Sequence, residues 1–265
     1  MAFPSLGELN PRELLKKHAP DGIYCLENVE DFSKLNEDCK SMVGILRGKF
    51  DASDEDTLAL RDFIRDDEKV PKTKFMGNFV HRKQTTFGAK YNFGQQTSHH
   101  PINEDTPKAV KAALQFAKYF IEENNAVNRK DHPEKEQLDA SKYNGVHVNY
   151  YPFGKAGVQP HYDAEESLDL SLPIISITLL AGSRIPRDFS IYDKPGPKKT
   201  DKPLKIADIE LRHGDVVIMA GEMQDHFLHG IEKSSRRDLE HAERLNLTIR
   251  AFKPDSAKRQ RVDPR

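Results

Sequence analysis

Apolar positions along the chain follow a helical period in one segment and strand-like runs in the segments after it. From Thr106 the sequence TPKAVKAALQFAKYFIEENN repeats apolar residues at helical spacing. The residues on that face are Val110, Ala113, Leu114, Ala117 and Ile121. A threonine cap followed by proline at the first helical position is typical of a helix start. The pattern therefore predicts an amphipathic helix that begins beside Thr106.

Short strand-like runs follow a polar linker around RKDHPEKEQLD. Turns rich in Gly, Pro and Asp separate the runs VHVNYY, LPIISITLL, FSIYD, IELRHGDVVIMAG and LNLTIRAF. The run LPIISITLL is apolar enough to be buried on both faces. A helix packed under a two-sheet β core is the economical arrangement of these elements. We therefore predict an α+β fold, with a double-stranded β-helix (jelly-roll) core and supporting helices.

The length of 265 residues fits one catalytic domain with additions at its ends. Residues 1–70 are charged and irregular, with helix-like stretches such as NPRELLKKH and DEDTLALRDFIRDD, and we expect a mainly helical elaboration there. Residues 71–252 form the predicted catalytic domain. Residues 253–265 have the composition of a basic disordered tail.

Charge and cysteine content exclude some classes of protein. The formal net charge is −1 and the pI about 6.8, so there is no bulk basic signal for nucleic acid, although a local basic stripe can serve the same purpose. Cys25 and Cys39 do not have the spacing of a thiolate zinc site. The sequence contains no apolar run of signal-peptide length, and none of the roughly 20 residues that would span a bilayer. We expect an intracellular protein of the nucleus or cytoplasm that does not act on membranes.

A histidine and a carboxylate are spaced for one metal site in the segment YPFGKAGVQPHYDAEE. His161 and Asp163 are two positions apart, so on an extended strand both side chains point to one face. The segment GEMQDHFLHGI offers His226 or His229 as a third ligand. Two histidines and one carboxylate suit iron(II) oxygen chemistry, because three coordination positions stay open. A lone HxD pattern is more often accidental, so the metal site needs support from elsewhere.

The segment ERLNLTIRAF supplies that support. Strand alternation places four polar side chains on one face: Arg244, Asn246, Thr248 and Arg250. The opposite face carries Leu245, Leu247 and Ile249. An inward polar face is costly unless it meets a polar or anionic partner, and arginine binds carboxylates such as that of 2-oxoglutarate bidentately. The alternative is a polar stripe that faces solvent.

These motifs, in this order, resemble those of the AlkB family of iron(II) and 2-oxoglutarate dependent dioxygenases, which remove alkyl groups from nucleic acids. HYD at 161–163, HGI at 229–231 and RLNLTIR at 244–250 are similar to its HxD, distal histidine and RxNxTxR motifs. NYY at 149–151 stands where the family has NxY. The similarity covers roughly residues 70 to 252.

The resemblance assigns roles to residues of this chain. It implies that iron is bound by His161, Asp163 and His229; the HGI position favours His229 over His226. It implies that 2-oxoglutarate is held by Asn149, Tyr151, Arg244, Asn246 and Arg250. Asp163 and Glu165 are the predicted catalytic residues, since Glu165 stands where the family has an acidic residue facing the damaged base.

A second stretch, HRKQTTFGAKYNF, resembles the nucleotide-recognition segment of the family's DNA-repair members, although His81 replaces a proline there. We expect a recognition segment over residues 75–96. Basic side chains can meet phosphates, and aromatic rings can stack on a base taken out of its helix. RDF at 187–189 is also similar to those members. The predicted substrate-binding residues are Arg82, Lys83, Gln84, Tyr91, Phe93, Glu165 and Arg187.

The resemblance implies an oxidative demethylase that acts on 1-methyladenine or 3-methylcytosine type bases in DNA and releases formaldehyde and succinate. Its cofactors would be Fe(2+), 2-oxoglutarate as cosubstrate, and O2. Its partner would be a nucleic acid carrying an alkylated base, and we expect a monomer. Three alternatives stay open at this point. They are the same chemistry on RNA or as a base or protein hydroxylase, an inactive nucleic-acid-binding module, and a jelly-roll metal protein unrelated to 2-oxoglutarate.

Overall fold

The structure is a computed structural model that describes residues 22–25, 41–72, 74–75, 78–89, 98–131, 133–134, 136–163, 165–182, 184–195 and 202–253. Its strands are β1 (Gly22–Cys25), β2 (Ser41–Leu46), β3 (Lys74–Phe75), β4 (Asn78–Phe79), β5 (Lys83–Gly88), β6 (Ser98–His100), β7 (Tyr143–Tyr151), β8 (Val158–His161), β9 (Ile174–Ala181), β10 (Arg187–Asp193), β11 (Leu204–Leu211), β12 (Val216–Gly221), β13 (Phe227–Ile231) and β14 (Glu243–Ala251). Its α-helices are α1 (Asp54–Arg65), α2 (Lys108–Asp131) and α3 (Met223–His226).

Two sheets pack face to face. The major sheet has eight strands in the order β1-β2-β12-β9-β14-β7-β5-β6, and the minor sheet has four in the order β11-β10-β13-β8. Between them lies a buried apolar cluster. The major sheet contributes residues such as Val43, Val217 and Met219, and the minor sheet contributes Phe189 and Ile209. This arrangement is the predicted jelly-roll core.

The helices cover the outer face of the major sheet. Helix α2 buries the predicted side chains Val110, Ala113, Ala117 and Ile121 completely, while Leu114 is partly buried against the same cluster. The Thr106 hydroxyl does not act as the expected cap. It accepts a hydrogen bond from the Asn103 amide at 2.9 Å and donates one to the Pro101 carbonyl, so it closes the preceding turn. None of the described helices is long and apolar enough to cross a membrane.

Part of the segment expected to be a separate, mainly helical elaboration belongs to the core. Strand β2 pairs with β12 inside the major sheet. Helix α1 begins at Ser53, whose hydroxyl accepts a hydrogen bond from the Asp56 amide at 3.0 Å, and it buries Leu60 and Ile64 under the sheet. Strand β2 and helix α1, which precede the boundary expected at residue 70, thus pack directly with strands that follow it. The helix-like stretch NPRELLKKH lies outside the described residues.

Helix α1 is also fixed to the end of strand β14. The Tyr150 hydroxyl donates a hydrogen bond to the Glu243 carboxylate. The same carboxylate pairs with Arg61 at 3.3 Å and Arg65 at 3.7 Å, both from α1. The outer face of the sheet thus carries a charged attachment for the helix at the residue before Arg244.

Strand alternation separates the two faces of β14. Leu245, Leu247 and Ile249 are buried in the cluster beneath the helices. Arg244 and Arg250, with Asn246 and Thr248, line a cleft between the two sheets. The inward polar face that the sequence predicts is present, and the alternative of a solvent-facing stripe is wrong because all four side chains are buried.

Candidate active site

His161 and His229 meet across two paired strands of the minor sheet. They are direct register partners in the β8–β13 pair, and their ring centroids lie 4.4 Å apart. Asp163 follows two residues after His161, beyond the end of β8 rather than on it. The ligand atoms of the three residues all lie within 4.8 Å of one another. His226 is not part of this group; its ring contacts the Glu222 carboxylate at 3.1 Å on the surface.

Each of the two imidazoles offers a ring nitrogen to a cation. His161 Nδ1 lies 2.9 Å from the Gln159 carbonyl, so that nitrogen must carry the proton and Nε2 keeps its lone pair. His161 Nε2 lies 4.0 Å from Asp163 Oδ1. Burial lowers the pKa of His229 to about 3. Metal ligands must be deprotonated, and His229 meets that condition at neutral pH.

Asp163 is held as a carboxylate by its surroundings. Its Oδ2 accepts hydrogen bonds from Arg250 Nη2 at 2.5 Å and from Arg250 Nε at 3.2 Å. Its backbone amide donates to the Gln224 side chain at 2.9 Å. Burial alone would raise the pKa of Asp163, but the charge and hydrogen bonds of Arg250, together with the two nearby imidazoles, outweigh it and keep this pKa well below its usual value. The resulting set of two neutral imidazoles and one carboxylate fits iron(II).

Arg244 is a buried cation without an anionic partner among the described residues. It is 1% exposed, and its Nε and Nη1 atoms have no hydrogen-bond acceptor. Its Nη2 donates to the Thr178 hydroxyl at 3.0 Å, and its guanidinium carbon lies 5.1 Å from the Tyr151 ring centroid. Burial lowers the pKa of Arg244 to about 10. Because an unpaired buried charge is costly, this site is suited to a carboxylate ligand.

The other polar side chains of the cleft bond mainly to one another. The Asn246 amide nitrogen donates to the Ser176 hydroxyl at 2.7 Å and the Ile177 carbonyl at 3.2 Å, and its oxygen accepts from Thr248 at 3.0 Å. In this structure Asn246 therefore holds strands β14 and β9 together. Asn149 lines the same cleft as Arg244.

Sequence reasoning missed His147. It is buried on β7 and its Nε2 lies 3.2 Å from Asn149 Oδ1. Burial, together with the nearby charges of Arg250 and Arg82, lowers its pKa well below the usual value. The signal was available in the sequence, since His147, Asn149 and Tyr151 are spaced two apart on one strand and share a face.

The cleft beside the metal ligands holds about 400 Å³ of empty space, part of it open to solvent. Its walls carry the predicted ligands His161 and His229 together with both arginines of β14, of which Arg250 is bonded to Asp163. The cleft can therefore place an anionic small molecule between a metal ion and Arg244.

One predicted substrate residue lines this cleft, and a second follows the metal ligand Asp163 in the chain. Arg82 is partly exposed and lines it. Glu165 is partly buried, with its Oε2 atom shielded from solvent, and it follows two residues after Asp163. Tyr91 and Phe93 lie outside the described residues.

Three other predicted substrate residues are engaged by the protein itself. Lys83 Nζ bonds to the Ile64 and Arg65 carbonyls at the end of α1 and pairs with Asp67 at 2.6 Å. Gln84 is buried on β5, opposite Asn149. Arg187 is also buried, and its guanidinium donates to the carbonyls of Phe153, Ala156 and Glu232.

Comparison with known proteins agrees with this geometry. A family model of the 2OG-Fe(II) oxygenase superfamily matches residues 45–250, so the chain belongs to this superfamily. It is an iron(II) and 2-oxoglutarate dependent dioxygenase, with Fe(2+), 2-oxoglutarate and O2 as cofactors. The predicted enzyme class and cofactors are thus confirmed. No curated protein sequence matches the chain significantly.

Solved structures with low sequence identity also match. The structure of OsALKBH1 is 21% identical with a TM-score of 0.48, covering 78% of this chain and 97% of that chain. A prolyl-4-hydroxylase from Pseudomonas putida is 12% identical with a TM-score of 0.40, covering 80% and 92%. A Trichoplax adhaerens prolyl hydroxylase, in complex with a hypoxia inducible factor peptide, is 13% identical with a TM-score of 0.44, covering 79% and 83%.

Proposed function

We propose that this dioxygenase demethylates alkylated bases of the 1-methyladenine and 3-methylcytosine type in DNA, releasing formaldehyde and succinate. The observation that carries the proposal is the position of Glu165, a carboxylate with a shielded oxygen two residues after the metal ligand Asp163. These methylated bases are cations, and a carboxylate facing them lowers the cost of taking their charge out of water. The AlkB-like order of the motifs HYD, HGI and RLNLTIR supports the same substrate class.

His161, Asp163 and His229 would hold the iron ion. Arg244 would receive the distal carboxylate of 2-oxoglutarate, since its buried Nε and Nη1 atoms have no acceptor among the described residues. The iron and its cosubstrate, when bound, supply the oxidation of a methyl C–H bond by dioxygen, with succinate and carbon dioxide as coproducts. A hydroxymethyl group on a ring nitrogen then breaks down to formaldehyde and the unmodified base.

Arg250 and Asn149 would act on this chemistry in different ways. Arg250 bonds to the Asp163 oxygen at 2.5 Å, so it orients the metal-binding carboxylate rather than lying free for the cosubstrate. Asn149 lines the cleft between the metal ligands and Arg244, where it would contact 2-oxoglutarate together with Tyr151. The protein's contribution is to position the methyl group beside the iron and to exclude other targets.

Substrate entry would use the open side of the cleft. Arg82 lines that cleft and would meet a phosphate beside the damaged base. We propose that Tyr91 and Phe93 stack on the base. Taking a base out of a duplex costs a few kcal/mol, and least for a damaged or single-stranded base, so an unpaired lesion would be the easier substrate.

The test is anaerobic reconstitution with iron(II) and 2-oxoglutarate, followed by exposure to oxygen with separate substrates. These are DNA and RNA oligonucleotides carrying 1-methyladenine or 3-methylcytosine, unmodified DNA, and a proline-containing peptide. Mass spectrometry of the products and a formaldehyde assay give the readout. We expect loss of a methyl group from DNA together with equimolar formaldehyde. A stable hydroxymethyl base, a hydroxylated peptide or exclusive turnover of RNA would contradict the proposal.

A further inference from the structure

A basic groove lies beside the active-site cleft and has no role in the chemistry described above. It is lined by His81, Lys155, Lys233, Ser234 and Ser235, and it encloses about 620 Å³ of empty space that is open to solvent. Three of these side chains are basic, two are hydroxyls and none is acidic. The chain as a whole has a net charge of −1, so this concentration of one sign is local.

The groove shares its walls with the cleft. Three segments of the chain line both spaces. The paired positions, cleft residue first, are Arg82 with His81, Val158 with Lys155, and Ile231 with Lys233. Because each pair is one to three residues apart in sequence, the groove must open next to the metal-binding cleft.

The scaffold of the groove is fixed before any ligand arrives. The buried Arg187 guanidinium donates to the carbonyls of Phe153, Ala156 and Glu232, which joins the loop of Lys155 to the loop of Lys233. The Ser234 amide also donates to the Gly154 carbonyl at 2.9 Å.

Close packing fixes these two loops further. A Cβ atom at Gly154 would lie 2.7 Å from the Ser234 carbonyl oxygen, so the two loops are in direct contact. The His81 ring packs edge-on against Phe153 with ring centroids 4.9 Å apart. The basic side chains thus project from rigid backbone, which reduces the entropy lost on binding.

Neither groove lysine has a carboxylate partner among the described residues, so their charges are not neutralised by the protein as the charges of Lys83 and Lys205 are. Lys83, Lys194 and Lys205 are bound by carbonyls or carboxylates. Glu232, the acidic neighbour of Lys233, is occupied by the Tyr192 hydroxyl at 2.6 Å and Lys205 at 2.9 Å. Positive charges that converge without a counter-charge favour an anionic ligand.

We propose that this groove binds a backbone phosphate of the nucleic-acid strand whose base enters the cleft, and this inference rests on the proposed function. Lys155 and Lys233 would supply the charge, while Ser234 and Ser235 would donate hydrogen bonds to phosphate oxygens. The Ser234 oxygen already accepts a hydrogen bond from the Arg236 amide at 3.3 Å, which leaves its hydroxyl proton for the ligand. In this proposal the groove residues contact the phosphate, and Lys83, for which the sequence suggested that contact, does not.

The test compares two charge-reversed variants, K155E/K233E and K108E/K130E. Lys108 and Lys130 are exposed at the two ends of α2, on the opposite face of the major sheet, so both variants change the net charge equally. The probe is a labelled single-stranded DNA oligonucleotide in a fluorescence anisotropy titration over a series of salt concentrations. Each phosphate contact contributes about 0.7 to the slope of log affinity against log salt for single strands.

We expect K155E/K233E to lower this slope by about 0.7 to 1.4 and to weaken binding on the order of tenfold at low salt. K108E/K130E should keep the wild-type slope. Equal slopes for the two variants would overturn the inference. The inference would also be overturned if K155E/K233E lost binding to an acidic peptide while its binding to the oligonucleotide stayed unchanged. If charge reversal lowers the melting temperature, the neutral pair K155Q/K233Q repeats the comparison.

The outcome separates this inference from the proposed function. A wild-type enzyme that binds the oligonucleotide through the groove but releases no formaldehyde would refute demethylation and support the groove. An enzyme that releases formaldehyde, with both variants binding alike, would refute the groove and support demethylation. For an active enzyme, the ratio of kcat/KM for an oligonucleotide to that for a methylated nucleoside should fall in K155E/K233E only.

Discussion

Substitution of Arg244 by methionine should have opposite effects on the empty protein and on the protein with cosubstrate. Arg244 is fully buried, lacks an anionic partner in the described chain, and has a pKa lowered by burial to about 10. That reduction corresponds to ~3 kcal/mol of unfavourable burial of the charge at neutral pH. Methionine has a similar length and no charge. Without 2-oxoglutarate, the free energy of unfolding of R244M should therefore be equal to that of the wild type or higher, by up to ~3 kcal/mol.

The loss should appear when 2-oxoglutarate binds. A paired, charge-assisted contact to a carboxylate contributes about 2 to 4 kcal/mol, so the Kd for 2-oxoglutarate should rise roughly 30-fold to 1,000-fold. A ligand present at 100 times its Kd stabilises a protein by about 2.7 kcal/mol, and R244M should lose most of that stabilisation.

The assay is urea unfolding of both proteins, with and without 2-oxoglutarate and iron(II), under anaerobic conditions. R212M is a matched control, because Arg212 is an exposed arginine whose side chain pairs with Glu210 at 3.2 Å. The reasoning would be refuted if R244M lowered the stability of the empty protein by 2 kcal/mol or more while leaving 2-oxoglutarate affinity unchanged. That result would make Arg244 a structural residue.

Three further predictions test other parts of the site. D163A should abolish succinate formation from 2-oxoglutarate while sparing oligonucleotide binding by anisotropy; unchanged succinate formation would reject the ligand assignment. K83M should lower the free energy of unfolding in urea by about 1 to 2 kcal/mol, because it removes the bonds from Lys83 to the end of α1, and it should leave DNA affinity unchanged. Weaker DNA binding with unchanged stability would instead identify Lys83 as a phosphate contact. His147 has a folded-state pKa below its unfolded value, so it should stay neutral while the unfolded chain gains a proton below about pH 6.5. In urea unfolding between pH 7 and 5, the free energy of unfolding of the wild type should therefore fall with decreasing pH more steeply than that of H147Q. The two slopes should differ by up to ~1.4 kcal/mol per pH unit, and parallel curves would contradict this.

The features that the sequence could predict depend on strand and helix periodicity. The inward polar face of β14 follows from alternation, and so does the buried face of α2. The pairing of His161 with Asp163 follows from their spacing, whereas the choice of His229 over His226 rests on the resemblance to the AlkB family. The structure places His229 on the strand paired with β8.

The features that could not be predicted depend on contacts between distant segments. Lys83 has the sequence context of a phosphate ligand, but the fold brings the carbonyls at the end of α1 within its reach. Arg187 likewise meets carbonyls 31 to 45 residues away. Strand β2 is short and buried on both faces, so it shows no alternation that would place it in the major sheet.

Consecutive residues of β14 connect the helical layer to the cosubstrate pocket. Glu243 holds Arg61 and Arg65 of α1 on one face of the strand, and Arg244 points into the cleft on the other. A shift of α1 would move Glu243, and the peptide unit that it shares with Arg244 would carry the displacement through the sheet. Substitutions in α1, which does not line the cleft, would then change the affinity for 2-oxoglutarate. Evolution would thereby adjust this affinity without changing the metal ligands.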